Sequence, residues 1–229
     1  MLGHGLGGKA PGRVSEIEPY IAGHNLILVH AKIVEVYRRD FQTPKKGLIG
    51  ITNNCDWREP ASTSKGDAQA AQRALEFFLG WFADPIYLGI SADQEVLLSS
   101  RQEWEQTDFG WNIVPWGCGK LLHWISERYN YPDIFITENG CALPEEDDVD
   151  VAVSDDKRVS SYREYLRSCE AAIAEDIKLK GYFAWTFMDN FEWEAGYSIR
   201  FWLHNVDYST GKRTPKKSAS WFTEGRRKN

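Results

Sequence analysis

Alternating apolar strands and amphipathic helices predict an α/β fold built on a parallel sheet or barrel. Three observations carry this expectation. Short runs at 48–52, 133–137 and 181–187 are uniformly apolar and β-branched or aromatic, the pattern of strands buried on both faces. The stretches between them place apolar residues three and four apart, as a helix requires. The 229 residues are 42% hydrophobic and 26% charged, enough for one large packed domain or two small ones.

The elements follow in order. Residues 1–18 are glycine-rich and read as an irregular connector. From Pro19 to Phe41, Leu26, Val29, Ile33, Val36 and Tyr37 form one helical face. Thr43, Pro44 and Gly47 break it, and 48–52 is the first strand. Ser64 and Asp67 fit the start of a capping box. Ala71, Leu75, Phe78, Leu79 and Phe82 then make a helical stripe that Asp84-Pro85 should end. Residues 87–110 show no period. Pro115 opens a third helix through Leu121, Leu122, Ile125 and Tyr129. Residues 133–137 are the second strand, stopped at Asn139-Gly140. The acid-rich segment 145–156 reads as a solvated loop, since it lacks the glycine and closing glutamate of a calcium loop. Val159, Tyr162, Leu166, Cys169 and Ile173 mark a fourth helix, and 181–187 the third strand. A turn at 209–212, a short helix near 218–222 and a basic tail at 223–229 close the chain.

Composition excludes several functions. A net charge of −6 makes a poor polyanion binder, so nucleic acid is not an expected partner. No apolar run approaches the roughly 18 residues of a membrane span. Cys55, Cys118, Cys141 and Cys169 are scattered and form no CxxC pair, as expected of reduced thiols in a cytoplasmic chain. His24 and His30 lie six apart, without an HExxH, and read as core or capping residues; no metal and no cofactor is expected. Gly3–Ala10 mimics phosphate-binding loops, but no strand precedes it, and Ala10 replaces the magnesium-binding hydroxyl. It reads as a flexible connector.

Two segments carry chemistry. In Ile136-Thr137-Glu138-Asn139-Gly140 a carboxylate ends a buried strand, the position of catalytic groups in α/β barrels. A glutamate that merely caps the next loop is the competing interpretation. In Trp185-Thr186-Phe187-Met188-Asp189-Asn190-Phe191-Glu192-Trp193, two indoles accompany a carboxylate and an amide. Sugar sites combine aromatic faces for C–H surfaces with carboxylates for vicinal hydroxyls. An aromatic core with an exposed acid is the alternative there. Aromatic residues make up 14% of the chain, with 10 Trp, 10 Tyr and 11 Phe, so both uses are open.

ITENG followed by WTFMDNFEW resembles the C-terminal part of glycoside hydrolase family 1, the retaining β-glucosidases and β-galactosidases. EPYIAGHNLILVHAKIV, LIGITNNCDWREP, AQRALEFFLGWFADP, TDFGWNIVPWG and VDYSTGKRTPKKSASWF are similar to the same family. The resemblance implies a partial (β/α)8 barrel in one incomplete domain, 1–229, retaining strands five, seven and eight. It implies that Glu138 is the nucleophile, that Trp185 is the platform under the sugar, and that Glu192 and Trp193 hold glycone hydroxyls. A retaining enzyme also needs a carboxylic acid roughly 5 Å from the nucleophile to protonate the leaving oxygen.

The family's acid/base glutamate stands in an Asn-Glu-Pro motif, which this sequence lacks. The first residues resemble the loop after that motif, and 87–110 resembles the junction of an internal deletion that removes strand six. The family usually has glycine where Trp202 follows Arg200-Phe201, so Trp202 is expected to crowd its loop. The resemblance implies a β-glucosidase that acts on unphosphorylated β-D-glucosides or oligosaccharides and is inactive as this shortened chain. Its exposed barrel edges favour self-association. A non-catalytic sugar-binding or regulatory remnant is the alternative. Glu192 bears on substrate class, since relatives that take 6-phosphorylated glycosides lack that carboxylate.

Overall fold

The structure is a computed structural model that describes residues 17–89, 105–107, 110–144 and 148–226. The glycine-rich Gly3–Ala10 segment lies outside these residues, as does most of 87–110. The chain divides into two compact units, residues 1–99 and 100–229. No described helix is long and apolar enough to cross a membrane.

In the first unit, helix α1 (Glu18–Tyr37) begins with Pro19 in its first turn and passes through a π-helical turn, Arg38–Gln42, into α2 (Thr43–Lys45). Periodicity located this helix, but its apolar face is uncovered. Only Gly23 is buried, while Leu26 and Ile33 are 61% and 55% exposed. Gly23 is small because Trp81 lies against it: a Cβ there would stand 2.6 Å from the indole. His24 is exposed and His30 half-buried, so neither is the core histidine expected.

Residues 48–52 are not a strand. They join no ladder among the described residues, although Ile49 and Ile51 are half-buried and Leu48, Gly50 and Thr52 exposed. An apolar strand needs neighbours to take its backbone N–H and C=O groups, and among the described residues no strand pairs with it.

Helix α3 (Lys65–Leu75) starts as expected: Ser64 Oγ accepts from the Asp67 N–H at 3.1 Å. The reciprocal arm of the capping box is absent. The Asp67 carboxylate accepts from Ser62 Oγ instead, and the Ser64 N–H donates to that hydroxyl. A π-helical turn, Glu76–Gly80, leads into α4 (Trp81–Tyr87). Pro85 lies inside α4 rather than ending it. The cost is limited to one missing N–H, because the helix stops two residues later with the Leu88 N–H on Asp84 O.

In the second unit, α5 (Pro115–Arg128) precedes strand β1 (Ile134–Asn139). Short helix α6 (Val149–Val153) and long helix α7 (Asp156–Ala174) lead to strand β2 (Leu179–Ala184). β1 and β2 pair in parallel as a two-stranded sheet, joined by the helical crossover that parallel pairing demands. The segment expected to be a solvated acidic loop instead holds α6, whose Asp148 side chain caps the Asp150 N–H; residues 145–147 lie outside the described set.

One core supports the sheet. Leu122 of α5 packs with Cys169, Ala172 and Ile177, and Ile134, Ile136, Leu179 and Tyr182 press on this cluster from the strands. Phe135 and Phe183 point the other way and stay exposed. Phe135 lies across Gly181, where a Cβ would meet the ring at 2.8 Å. The chain then forms a hairpin the periodicity did not reveal, β3 (His204–Val206) antiparallel to β4 (Arg213–Pro215). It ends in α8 (Lys217–Arg226), longer than the helix expected at 218–222. All four cysteines are free.

Candidate active site

The strand ends gather the segments singled out above. Glu138 is the penultimate residue of β1 and is exposed. Asn139 pairs with Ala184 across the sheet, and the Trp185 N–H donates to Asn139 O at 2.8 Å, so Trp185 begins where β2 stops. The approach is close because Gly140 has no side chain. A Cβ there would lie 2.2 Å from Trp185 O. Tyr182 Oη donates to Asn139 Oδ1 at 2.5 Å, and Tyr162 Oη of α7 donates to Trp185 O at 3.1 Å.

Trp185 Nε1 donates to Glu192 Oε1 at 3.1 Å, and Glu192 is buried. The loop turns sharply there, with the Glu192 N–H on Gly196 O at 2.7 Å. Trp193 is 79% exposed and has a φ of 46°, a left-handed conformation that bulky residues rarely adopt. Such strain persists where surrounding structure imposes it and clusters at functional sites.

Sequence reasoning did not find the groups that brace these loops. Arg158 and Asp155, at the start of α7, form a fully buried ion pair at 2.5 Å. Arg158 also donates to Cys141 O after β1 and to Arg200 O, while Asp155 accepts from the Ser218 N–H and hydroxyl of α8. Asp155 lies in the segment 145–156 that reads as an acidic loop. Its spacing of three from Arg158 at a helix start was the available signal. Asp189 accepts from Arg200 Nη1 at 2.5 Å and from the Val206 N–H. Burial pushes the Asp189 carboxyl above its ordinary range, opposed by Val206 and Arg200. Burial and the nearby Arg158 charge press Lys216 down to about 8. Trp202 is wholly buried with Ala142 and Phe201, so it fills the core beneath its loop instead of crowding it.

The second unit thus presents a carboxylate, two indoles and a buried carboxylate at one end of a parallel sheet, the end that bears catalytic groups in α/β enzymes. The sequence profile of glycosyl hydrolase family 1 matches the chain in two stretches, residues 1–98 and 89–229. The chain belongs to glycosyl hydrolase family 1. It is 33% identical over 287 residues to β-glucosidase 42 of Arabidopsis thaliana, covering 96% of this chain and 58% of that protein. It is 36% identical over 286 residues to β-glucosidase 4 of Oryza sativa subsp. japonica, at 96% and 59% coverage. Among solved structures, the β-glucosidase of Trichoderma harzianum matches with a TM-score of 0.84 and 35% identity, over 94% of this chain and 59% of that one. A mutant rice β-glucosidase, solved in a covalent complex with Glc from GA4GE, matches with a TM-score of 0.83 and 31% identity, over 90% and 56%. These neighbours are (β/α)8 barrels, and the α/β class of this family 1 chain follows from them. The chain spans less than two thirds of the length of the curated relatives it matches.

Proposed function

We propose that this chain is part of a retaining β-glucosidase barrel, holding strands five, seven and eight, with Glu138 as nucleophile and Trp185, Glu192 and Trp193 as the glycone site. The observation that carries it is the Trp185–Glu192 hydrogen bond just past the end of β2, the strand paired with that of Glu138. In this scheme a carboxylate attacks the anomeric carbon and a glucosyl ester forms as the aglycone oxygen leaves; water then releases glucose. The covalent glucose complex of the rice relative supports that chemistry. The leaving oxygen needs a proton, and the family's Asn-Glu-Pro motif is absent. General-acid catalysis contributes about 10²–10⁴-fold, so this chain does not turn over at a useful rate alone.

The substrate is an unphosphorylated β-D-glucoside. Glu192 would repel a 6-phosphate while accepting hydrogen bonds from neutral hydroxyls. Two overlapping family matches, and a 287-position alignment to a 229-residue chain, support an internal deletion at 87–110 in a single incomplete domain. Four free cysteines support a cytoplasmic setting, and exposed barrel edges support self-association.

The test is the purified chain with an aryl β-glucoside, beside Glu138→Gln. The expected result is no turnover, with tryptophan fluorescence quenched by glucose. Turnover that Glu138→Gln abolishes would contradict the inactivity. Turnover that survives the substitution would contradict the nucleophile, and absence of quenching the sugar site.

A further inference from the structure

Two of the free cysteines meet inside the second unit. Helices α5 and α7 run side by side in the same direction, and three contacts fix their register. The Val114 N–H, just before α5, donates to Tyr165 Oη of α7 at 3.2 Å. Gly119 lies against Ser168, where a Cβ would stand 3.9 Å from both the Ser168 Cβ and its carbonyl oxygen. One turn further along α5, His123 Nε2 meets Glu175 at 2.9 Å. Within this frame Cys118 packs on the cluster that holds Cys169, and a side-chain hydrogen bond joins the two thiols. Cys169 is 3% exposed and Cys118 half-buried, so a reagent from solvent reaches Cys118 first. Cys55 lies in the first unit and Cys141 in the loop after β1.

We infer that Cys118 and Cys169 form an oxidation site at which hydrogen peroxide closes a disulfide between α5 and α7. The Cys118 thiolate attacks one peroxide oxygen; the O–O bond breaks, hydroxide leaves, and Cys118 becomes a sulfenic acid. The Cys169 thiolate then attacks the Cys118 sulfur; the S–S bond forms, the S–O bond breaks, and a second hydroxide leaves. The two thiol protons convert both hydroxides to water. Two thiols and one peroxide thus give one disulfide and two waters, the sulfurs being oxidised and the peroxide reduced. The S–H that Cys118 donates lowers the Cys169 thiol pKa, which suits Cys169 to the second attack, while the same bond and burial raise that of Cys118. The link has a mechanical consequence. Residues 118–169 include β1 with Glu138 and the first half of α7, whose Tyr162 and Arg158 hold Trp185 and the Arg200 loop. A disulfide closes that stretch into a loop and restricts the unfolded chain, which stabilises the folded unit. Two strands alone are marginal, so the bond straps the sheet that carries the candidate site. The inference stands whether or not Glu138 is a nucleophile.

The experiment treats the reduced full chain, in dilute solution, with hydrogen peroxide, then unfolds and alkylates it for mass spectrometry. Expected is a single chain lighter by two hydrogen atoms, with the peptides bearing Cys118 and Cys169 linked and Cys55 and Cys141 alkylated. Dithiothreitol should restore both thiols. In the oxidised form, amide exchange in 134–139 and 179–184 should slow about tenfold and the urea midpoint should rise. Cys169→Ser should hold Cys118 as a sulfenic acid that dimedone captures. No link, a link to Cys55 or Cys141, or one between two copies overturns the oxidation site. A correct link that leaves exchange and midpoint unchanged overturns the strap, and absence of dimedone capture in Cys169→Ser overturns the order of attack.

Discussion

Trp185 and Glu192 are joined by a 3.1 Å hydrogen bond from the indole Nε1 to a buried carboxylate oxygen, which fixes the ring edge against the acid beside it. Trp185→Phe keeps the aromatic face and removes the donor. Leaving a buried polar atom without its partner costs about 1–3 kcal/mol. Urea denaturation should show a loss of that size, and glucose quenching should weaken; an unchanged midpoint would mean the bond holds nothing in place.

Gly140 admits the Trp185 carbonyl, which would lie 2.2 Å from any Cβ at that position. Gly140→Ala must push the two strand ends apart, a distortion of about 1–3 kcal/mol. Amide exchange at Trp185, whose N–H bonds Asn139 O, should accelerate relative to exchange in α5. Equal effects on both would show a general loss of stability instead of a local opening.

The buried Arg158–Asp155 pair ties the loop after β1, the Arg200 loop and α8 together. Removing one partner of a buried pair typically costs about 3–5 kcal/mol because the other charge is stranded. Arg158→Met should show this. Combining it with Asp155→Leu should cost less than the two single changes added together, and additivity in the cycle would mean the charges act independently.

His123 links α5 to the end of α7. Its Nδ1 faces Gly119 O at 2.7 Å and its Nε2 faces Glu175 at 2.9 Å. The Gly119 carbonyl first, then the Glu175 carboxylate, raise the imidazole pKa above its ordinary value. Folding therefore favours the protonated ring. That stabilisation is complete below about pH 6.5, the unfolded value, and is lost as pH rises through the higher folded one. The pair is partly exposed, so the effect is small and weakened by salt. His123→Gln should flatten the stability profile above pH 6; an unchanged slope would assign it to other groups.

Helical periodicity located α1, α5 and α7, because one apolar face against a core leaves a regular trace, as Leu122 and Cys169 do. The same signal cannot report whether a core is there. The stripe of Leu26, Val29 and Ile33 has the pattern of a buried face and lies exposed, and 48–52 has strand composition without a strand beside it. Both depend on neighbours that local sequence does not encode. At the candidate site, Glu138 and the Trp185–Trp193 segment stood out because carboxylates and indoles are costly choices at strand ends. The bracing pair Arg158–Asp155 did not, since both residues also suit a solvated helix start, and only the packing of α8 shows that Ser218 meets Asp155.

Covalent trapping tests directly whether Glu138 attacks the sugar. The direct measurement restores the missing segments from the Trichoderma harzianum enzyme and treats the chimera with 2-deoxy-2-fluoro-β-glucosyl fluoride, whose leaving group needs no acid. Mass spectrometry should find one fluoroglucosyl group on the peptide containing Glu138, and none in Glu138→Gln. A label on another carboxylate, or one that persists in Glu138→Gln, would contradict the assignment.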